Sequence, residues 1–571
     1  SYNDQKGILI GNTFKRLSAR INLDQKVSNK LKFGVGLNVV NSILGRVAND
    51  NALATPLQMV ALTPVQPAFI DDEPNSQTIY FNGLIQAKYG RDNTNVFRTL
   101  GNVYGTYDII AGLSFRTEAG LDLLEQREDG YSGRLTLDGA PGGSATVRST
   151  RVFNYTTNNY FTYDKRIAQY HAFNVVVGTS FQKSTTNDNS IQARNFPSDD
   201  LTNISSAATP VTIGSVQTAY AFDSYFARVN YKLRDRYIVT LNGRVDGSSK
   251  FGKDSRYGFF PSASAGWILS EESFLKDNIR QISFIKIRAS YGLTGNAPVT
   301  NFGSLATWSG LNYKTTSGIT INTLPSPGLK WETTAQLNIG IDYGIFNDRI
   351  TGQLDYYHKK TTDLLLNRQL PYISGYSSIF ENVGSLQNKG VEIVVNTQNL
   401  VSDFTWNTSF NIAFNRNKIL SLTDDADIIQ GINRVRIGQP LGIFVSRKYA
   451  GVDPATGDPL YDSAGIKIKD YNNAGNQIVG NPNPKYVGGL TNNFAYKGDI
   501  YNQAGLYQSN NASNFVDNQT RDQLRRWRQP GDVTDVPRAE LLSSLGIAQS
   551  SRYVSDGSYL RIRSVNLGYN I

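Results

Sequence analysis

Two histidines, His171 and His358, are the only imidazoles in 571 residues, and cysteine is absent. Disulfides, thiolate metal centres, iron–sulfur clusters and a cysteine nucleophile are excluded, and so is a histidine-rich metal site. His171 falls beside a predicted strand and His358 at the end of another, neither with ligand spacing around it, so structural roles are expected for both. A Ser-His-Asp arrangement is recognised by geometry, and counting does not exclude it, but no motif points to one. The only Gly-Lys dipeptide, Gly252-Lys253, runs into Asp254 and lacks the preceding glycines of a phosphate loop. An enzyme is not expected.

Three other groups could bind rather than react. Asp453, Asp458 and Asp462 cluster oxygen ligands as a calcium loop does, but off the EF-hand spacing and among turn-forming residues, so calcium is the weaker reading and no metal the stronger. Arg525, Arg526 and Arg528 flank Trp527; an anion or sugar would suit them, a solvated loop face more so. Trp308, Tyr313, Tyr372, Tyr376, Tyr471 and Trp527 are loop aromatics beside Asn and Asp. Such rings suit sugars and peptides alike, although packing within the loops or against a partner is the preferred expectation.

The elements that must carry these residues are strands. Charged residues make up only 18% of the chain, and no window holds 18 consecutive apolar residues, so a transmembrane helix is excluded. A barrel strand, by contrast, crosses a bilayer in about ten residues with lipid and lumen sides alternating. From Trp331 to Tyr343 the odd positions are mostly apolar and the even ones mostly polar. The same period sets Ala227, Val229, Tyr231 and Leu233 against Arg228, Asn230 and Lys232, and returns through Tyr237, Val239 and Leu241. It recurs from Ile285 to Leu293, and in runs beginning near Phe14, Leu31, Val103, Leu113, Tyr155, Phe173, Phe259, Ile350, Val391 and Phe404.

Connections alternate as well. Short turns are predicted at Ala111-Gly112, Arg234-Asp235, Asn347-Asp348 and Ser402-Asp403, and long loops from Ser42 to Arg98, Lys183 to Thr218 and Lys418 to Lys485. Short on one side and long on the other is the topology of an outer-membrane barrel. A secreted sandwich or propeller would use strands nearer five or six residues. Trp331, Tyr343, Tyr356, Tyr357 and Trp406 stand near strand ends, where interfacial girdles are expected. The net charge of +10 is interleaved with acids along the strands, which argues for contact with anionic lipopolysaccharide and not nucleic acid.

Motifs spread along the whole chain resemble the SusC/RagA family of TonB-dependent outer-membrane transporters of Bacteroidota. They include Arg256-Tyr257-Gly258-Phe259-Phe260-Pro261-Ser262, Gly266-Trp267 leading to Ser270-Glu271-Glu272, Thr294-Gly295-Asn296 and Leu329-Lys330-Trp331-Glu332. Asn382-Val383-Gly384 with Asn388-Lys389-Gly390-Val391-Glu392 is especially characteristic, as are Gly438-Gln439-Pro440-Leu441-Gly442 and Asn481-Pro482-Asn483-Pro484-Lys485-Tyr486.

The resemblance implies an all-β fold, a transmembrane antiparallel barrel of 22 strands in the family, of which residues 1–571 are a part. It also implies a plug and an N-terminal extension, neither of which precedes Ser1. The single methionine is Met59, so a complete reading frame is not expected. A further strand pair is expected in the family near Gly498-Asp499. By this resemblance the function is import of oligosaccharides or peptides across the outer membrane of a Gram-negative bacterium, without a cofactor. A SusD-like surface lipoprotein is the expected partner, together with a TonB complex acting through the plug. The alternative is a passive porin or surface interaction barrel; an enzyme would require His171 or His358 to be essential.

Overall fold

The computed structural model describes residues 1–47, 62, 64–79, 81–376, 378–401, 405–495, 525–536, 538 and 566–567. Its dominant feature is one antiparallel sheet whose neighbours follow chain order. The wall strands are β1 (Tyr2–Lys6), β2 (Thr13–Lys26), β3 (Leu31–Gly45), β4 (Gly90–Ile110), β5 (Leu113–Ser132), β6 (Ser144–Ile167), β7 (His171–Arg194) and β8 (Thr209–Leu233). They continue as β9 (Tyr237–Ser248), β10 (Tyr257–Ile268), β11 (Ile282–Asn296), β12 (Glu332–Ile345), β13 (Ile350–Thr362), β14 (Ser385–Val401), β15 (Thr405–Ser421) and β16 (Val487–Ala495). Asn566–Leu567 adds two residues in parallel to β16. Among the described residues no helix is long and apolar enough to cross a membrane.

Register shows why the period-2 pattern folds this way. Tyr237, Trp267, Ile287, Ile341, Leu354, Ile393 and Ile412 stand opposite one another across seven consecutive strands, and so share one face. Trp267, Ile287, Ile341 and Leu354 are exposed. An apolar row open to its surroundings is costly in water and matched in hydrocarbon, so this face is the outer one. The opposite face is polar and ion-paired: Arg288 reaches Asp342 at 3.0 Å and Asp355 at 2.7 Å, and Arg98 holds Asp122 at 2.7 Å.

The turns alternate in length as expected. Arg234 and Asp235 both take positive φ, matching a tight hairpin turn, and Arg166 of the neighbouring hairpin holds Asp235 at 3.2 Å. The Ser402-Asp403 turn and the start at Phe404 lie outside the described residues. Two expectations are corrected. The stretch from Lys183 to Thr218 is mostly not a loop: β7 and β8 pair from His171 and Leu233 out to Arg194 and Thr209, leaving only residues 195–208 as the connection. Strands of 24 and 25 residues run roughly 80 Å, against the nine to eleven residues that span a bilayer. Beyond the lipid band both faces are wet, so Asn187, Asn189, Ser215 and Gln217 carry no apolar alternation while the ladder continues. The second correction is that Trp331 and Tyr357 are not girdle residues. Trp331 is buried, and Tyr357 lies on the inner face, where its hydroxyl donates to Asn415 Oδ1 at 3.0 Å. Tyr343 and Tyr356 do face outward, in register with Gly352 and Ile339.

Candidate functional site

At the long-loop end, family-like motifs far apart in sequence are fastened to one another. Trp331 packs in a cluster with Phe251, Phe260, Val299, Leu329 and Leu365, its ring centroid 5.2 Å from Phe251 and 5.4 Å from Phe260. Its indole Nε1 donates to the Arg256 carbonyl at 2.9 Å, so the ring is buried with its one polar atom satisfied. Next to it, the Asn382 amide accepts from Lys330 N at 2.8 Å and donates to the carbonyls of Lys330 and Asp363 at 2.8 and 2.9 Å. Glu332 accepts from Leu365 N and from Asn296, each at 3.4 Å.

A second network holds the largest loop, residues 422–486. Asn417 Nδ2 donates to Asn388 Oδ1 at 2.9 Å, Leu441 N donates to Asn417 Oδ1 at 2.8 Å, and Asn483 Nδ2 donates to the Leu441 carbonyl at 2.8 Å. Gly438 and Gly442, at φ +81° and +77°, bracket Pro440 in left-handed backbone that glycine adopts without strain. Gly438 N then donates to the Ile419 carbonyl, and Ile419 N to that of Gln439, both at 2.9 Å. Asn481 caps the Pro482–Pro484 turn through Asn483 N at 2.9 Å. Gly390 makes room for Tyr357, whose hydroxyl would lie 2.6 Å from a Cβ there. Lys389 stands opposite His358, and Glu392 opposite Asp355 on the inner face.

Asn417→Ala removes two bonds of this chain at once. It is expected to loosen the 422–486 loop by about 1–3 kcal/mol without unfolding the wall. Limited proteolysis should cut inside that loop faster while the rest of the chain stays resistant.

The loop aromatics divide. Trp308 and Tyr313 project from a hairpin, Thr307–Tyr313 paired with Thr316–Thr323, and are 60% and 76% exposed, available to a ligand or partner. Tyr376 is half-buried, its N–H on Ser374 Oγ at 3.2 Å, and the side chain of Tyr372 lies outside the described residues. Tyr471 packs edge-on to buried Tyr461 at 5.3 Å and under the Arg447 guanidinium at 4.7 Å. Trp527 donates to the Pro454 carbonyl at 3.1 Å and lies against Gly457. Tyr471 and Trp527 therefore fasten the loop. Arg525 pairs with Asp535 at 3.0 Å.

The three aspartates do not converge on one oxygen shell. Lys469 bridges Asp453 at 2.6 Å and Asp458 at 3.1 Å, Arg538 also holds Asp458 at 3.1 Å, and Asp462 pairs with Lys448 at 2.9 Å. Among the described residues no group of three metal-ligating side chains stands together. The ammonium of Lys469, then the Ala455 N–H, hold the Asp453 carboxyl down at about 2, against an ordinary 3.8. A depressed acid contributes its stability above the ordinary value and loses it as pH falls through the folded one. Amide exchange in 453–469 should accordingly keep its protection from pH 8 to about 4 and lose it between about 4 and about 2.

His171 Nδ1 lies 2.7 Å from the Tyr231 hydroxyl and His358 Nε2 2.6 Å from the Gln387 amide. Both imidazoles are thus matched to neutral groups on the wall. Phe222, Phe251 and Asn417 escaped the sequence reading, because nothing local marks a ring or an amide whose partner, Trp331 for the rings and Asn388 and Leu441 for the amide, lies far along the chain.

An antiparallel wall with an apolar outer face, an ion-paired inner face, tight turns at one end and folded loops at the other defines a large outer-membrane β-barrel. The family model described as TonB dependent receptor-like, beta-barrel matches residues 58–570. The chain belongs to that family, one of outer-membrane receptors and transporters and not of enzymes, and its place is the outer membrane.

Over its whole length it is 30% identical to TonB-dependent receptor P3 of Formosa agariphila and 28% identical to TonB-dependent receptor SusC of Bacteroides thetaiotaomicron. It spans 62% of the length of each of these relatives. The RagAB peptide importer in its closed-closed state superposes with a TM-score of 0.84 over 96% of this chain and 65% of that one, at 23% identity, a likeness of fold.

Proposed function

We propose that this chain is the barrel of a TonB-dependent importer of oligosaccharides or peptides that works with a SusD-like surface lipoprotein. The observation that carries the proposal is the long-loop end. There, two hydrogen-bond networks brace a mouth from which Trp308 and Tyr313 project, on a wall whose inner face carries the ion-paired row of Arg288, Asp342 and Asp355. A barrel of 22 strands, the number the family resemblance implies, is wide enough to need a plugged lumen, and an outer membrane has no ATP of its own. Import against a gradient then requires that an inner-membrane motor act on the plug, the role of a TonB complex. Above the lipid band the outer face carries Arg127, Arg151 and Lys183, which suit the phosphates of lipopolysaccharide.

Cells carrying the full-length protein, offered mixed oligosaccharides and peptides, should deplete one of these classes from the medium, and the depletion should stop when TonB is deleted. Uptake that persists without TonB would mark a passive barrel instead.

A further inference from the structure

Most turns at the short-turn end are two to four residues, but the one between β10 and β11 is long, Leu269–Gln281, and contains the helical turn Ser273–Lys276. Its position is set by Glu272. One carboxylate oxygen accepts from the Tyr237 hydroxyl at 2.7 Å and the Trp267 indole at 3.0 Å, and the other pairs with Arg236 at 3.2 Å. Tyr237 and Trp267 belong to the outward apolar row that runs on through Ile287 and Ile341. Glu272 is therefore drawn onto the outside of the wall, and the helical turn that follows it is carried to the lipid side and not beneath the lumen.

Two apolar side chains on this turn find no cover among the described residues: Phe274 is 57% and Ile279 40% exposed. Neighbouring turns at the same end add Tyr170 at 56% and Phe346 at 52%. The charges of the segment balance, Glu271 on Lys276 at 2.7 Å, Glu272 on Arg236, and Asp277 with Arg280 in sequence. The Tyr237 hydroxyl, then the Trp267 indole, hold the Glu272 carboxyl below its ordinary range, so the clamp stays charged in a neutral periplasm.

We propose that Leu269–Gln281 is an interfacial anchor, with Phe274 and Ile279 seated among the phospholipids of the inner leaflet of the outer membrane. The Glu272 clamp ties the turn to Tyr237 and Trp267 of the lipid-facing row. Apolar side chains over a near-neutral polar base suit the boundary between headgroups and acyl chains. The long turn thus fixes the depth at which this side of the barrel rides.

Because the chain has no cysteine, single thiols can be introduced one at a time and spin-labelled. The full-length protein is used, with any thiol outside these residues replaced by serine, in nanodiscs of phosphatidylethanolamine and phosphatidylglycerol. Labels at Ile279→Cys and Phe274→Cys are compared with Ile341→Cys, on the lipid face, and Lys30→Cys, on a turn in water. Collision with dissolved oxygen relative to a nickel chelate should be high at 279 and 274, close to the value at 341. A ratio matching position 30 would overturn the proposal. Protection from both reagents at 279 and 274 would overturn it too, since protein and not lipid would then cover the turn. With the label at 279, Phe274→Ser should shift it toward water; an unchanged ratio removes Phe274 from the anchor.

Discussion

Trp331→Ala is expected to destabilise the barrel by about 3–5 kcal/mol, the range for emptying a buried aromatic site. The indole is 9% exposed and meets Phe222, Phe251 and Phe260 from three other strands or loops, so no single neighbour can close over the void. The substitution also leaves the Arg256 carbonyl without its donor. Because Lys330 and Glu332 on either side bind Asn382 and Asn296, the damage should spread along the rim to the 363–384 connection. Denaturant unfolding in detergent, followed by the mobility of unheated samples in electrophoresis, reads the effect. Trp331→Phe keeps most of the packing and should lose much less. Trp308→Ala, on the exposed hairpin, should leave stability within about 0.5 kcal/mol of the parent. Equal losses for Trp331→Ala and Trp308→Ala would show that the rim cluster does not hold the wall.

This contrast also marks what could be read from the residues alone. Where the wall meets lipid, one face must be apolar and the other wet, and the alternation from Trp331 to Tyr343 records it directly. Where β7 and β8 rise above the membrane that pressure vanishes, so the strands from Lys183 and up to Thr218 looked like a loop although their backbones pair out to Arg194 and Thr209, with one register shift between Pro210 and Thr212. The motifs Leu329–Glu332, Asn388–Glu392 and Gly438–Gly442 were visible as a resemblance, but their reason was not. Each is one end of a contact whose other end lies elsewhere: Arg256 for Trp331, Asn417 for Asn388, Asn483 for Leu441. For Tyr471 and Trp527 packing is the preferred expectation, yet the platform reading stays open in the sequence because composition cannot tell an exposed ring from one lying against Arg447 or Gly457. The weaker calcium reading of the three aspartates rests on their closeness in sequence, which does not show that Lys469 and Lys448 arrive from other turns of the loop.

The assignment of faces predicts a second large effect, and with the opposite outcome on the two sides of one sheet. Ile339 lies on the outer face, 46% exposed, in register with Ala289 and Tyr356, several residues from either end of β12. Ile339→Lys should cost about 2–4 kcal/mol, because an ammonium at mid-depth must either shed its hydration or drag water into the bilayer. Gln353 is on the neighbouring strand but on the inner face, directly opposite Asp342. Gln353→Lys brings the same charge to a wet surface beside a carboxylate that already holds Arg288, and should change stability by less than about 1 kcal/mol. Both variants are compared in reversible unfolding from lipid vesicles. If instead Gln353→Lys were the costly one, inside and outside would be interchanged, and the ion-paired row of Arg288, Asp342 and Asp355 would have to face hydrocarbon. That arrangement strands three charges in a medium that cannot solvate them, whereas the row from Tyr237 to Ile412 would line water with seven apolar side chains. The two substitutions therefore test the whole wall through one pair of adjacent strands.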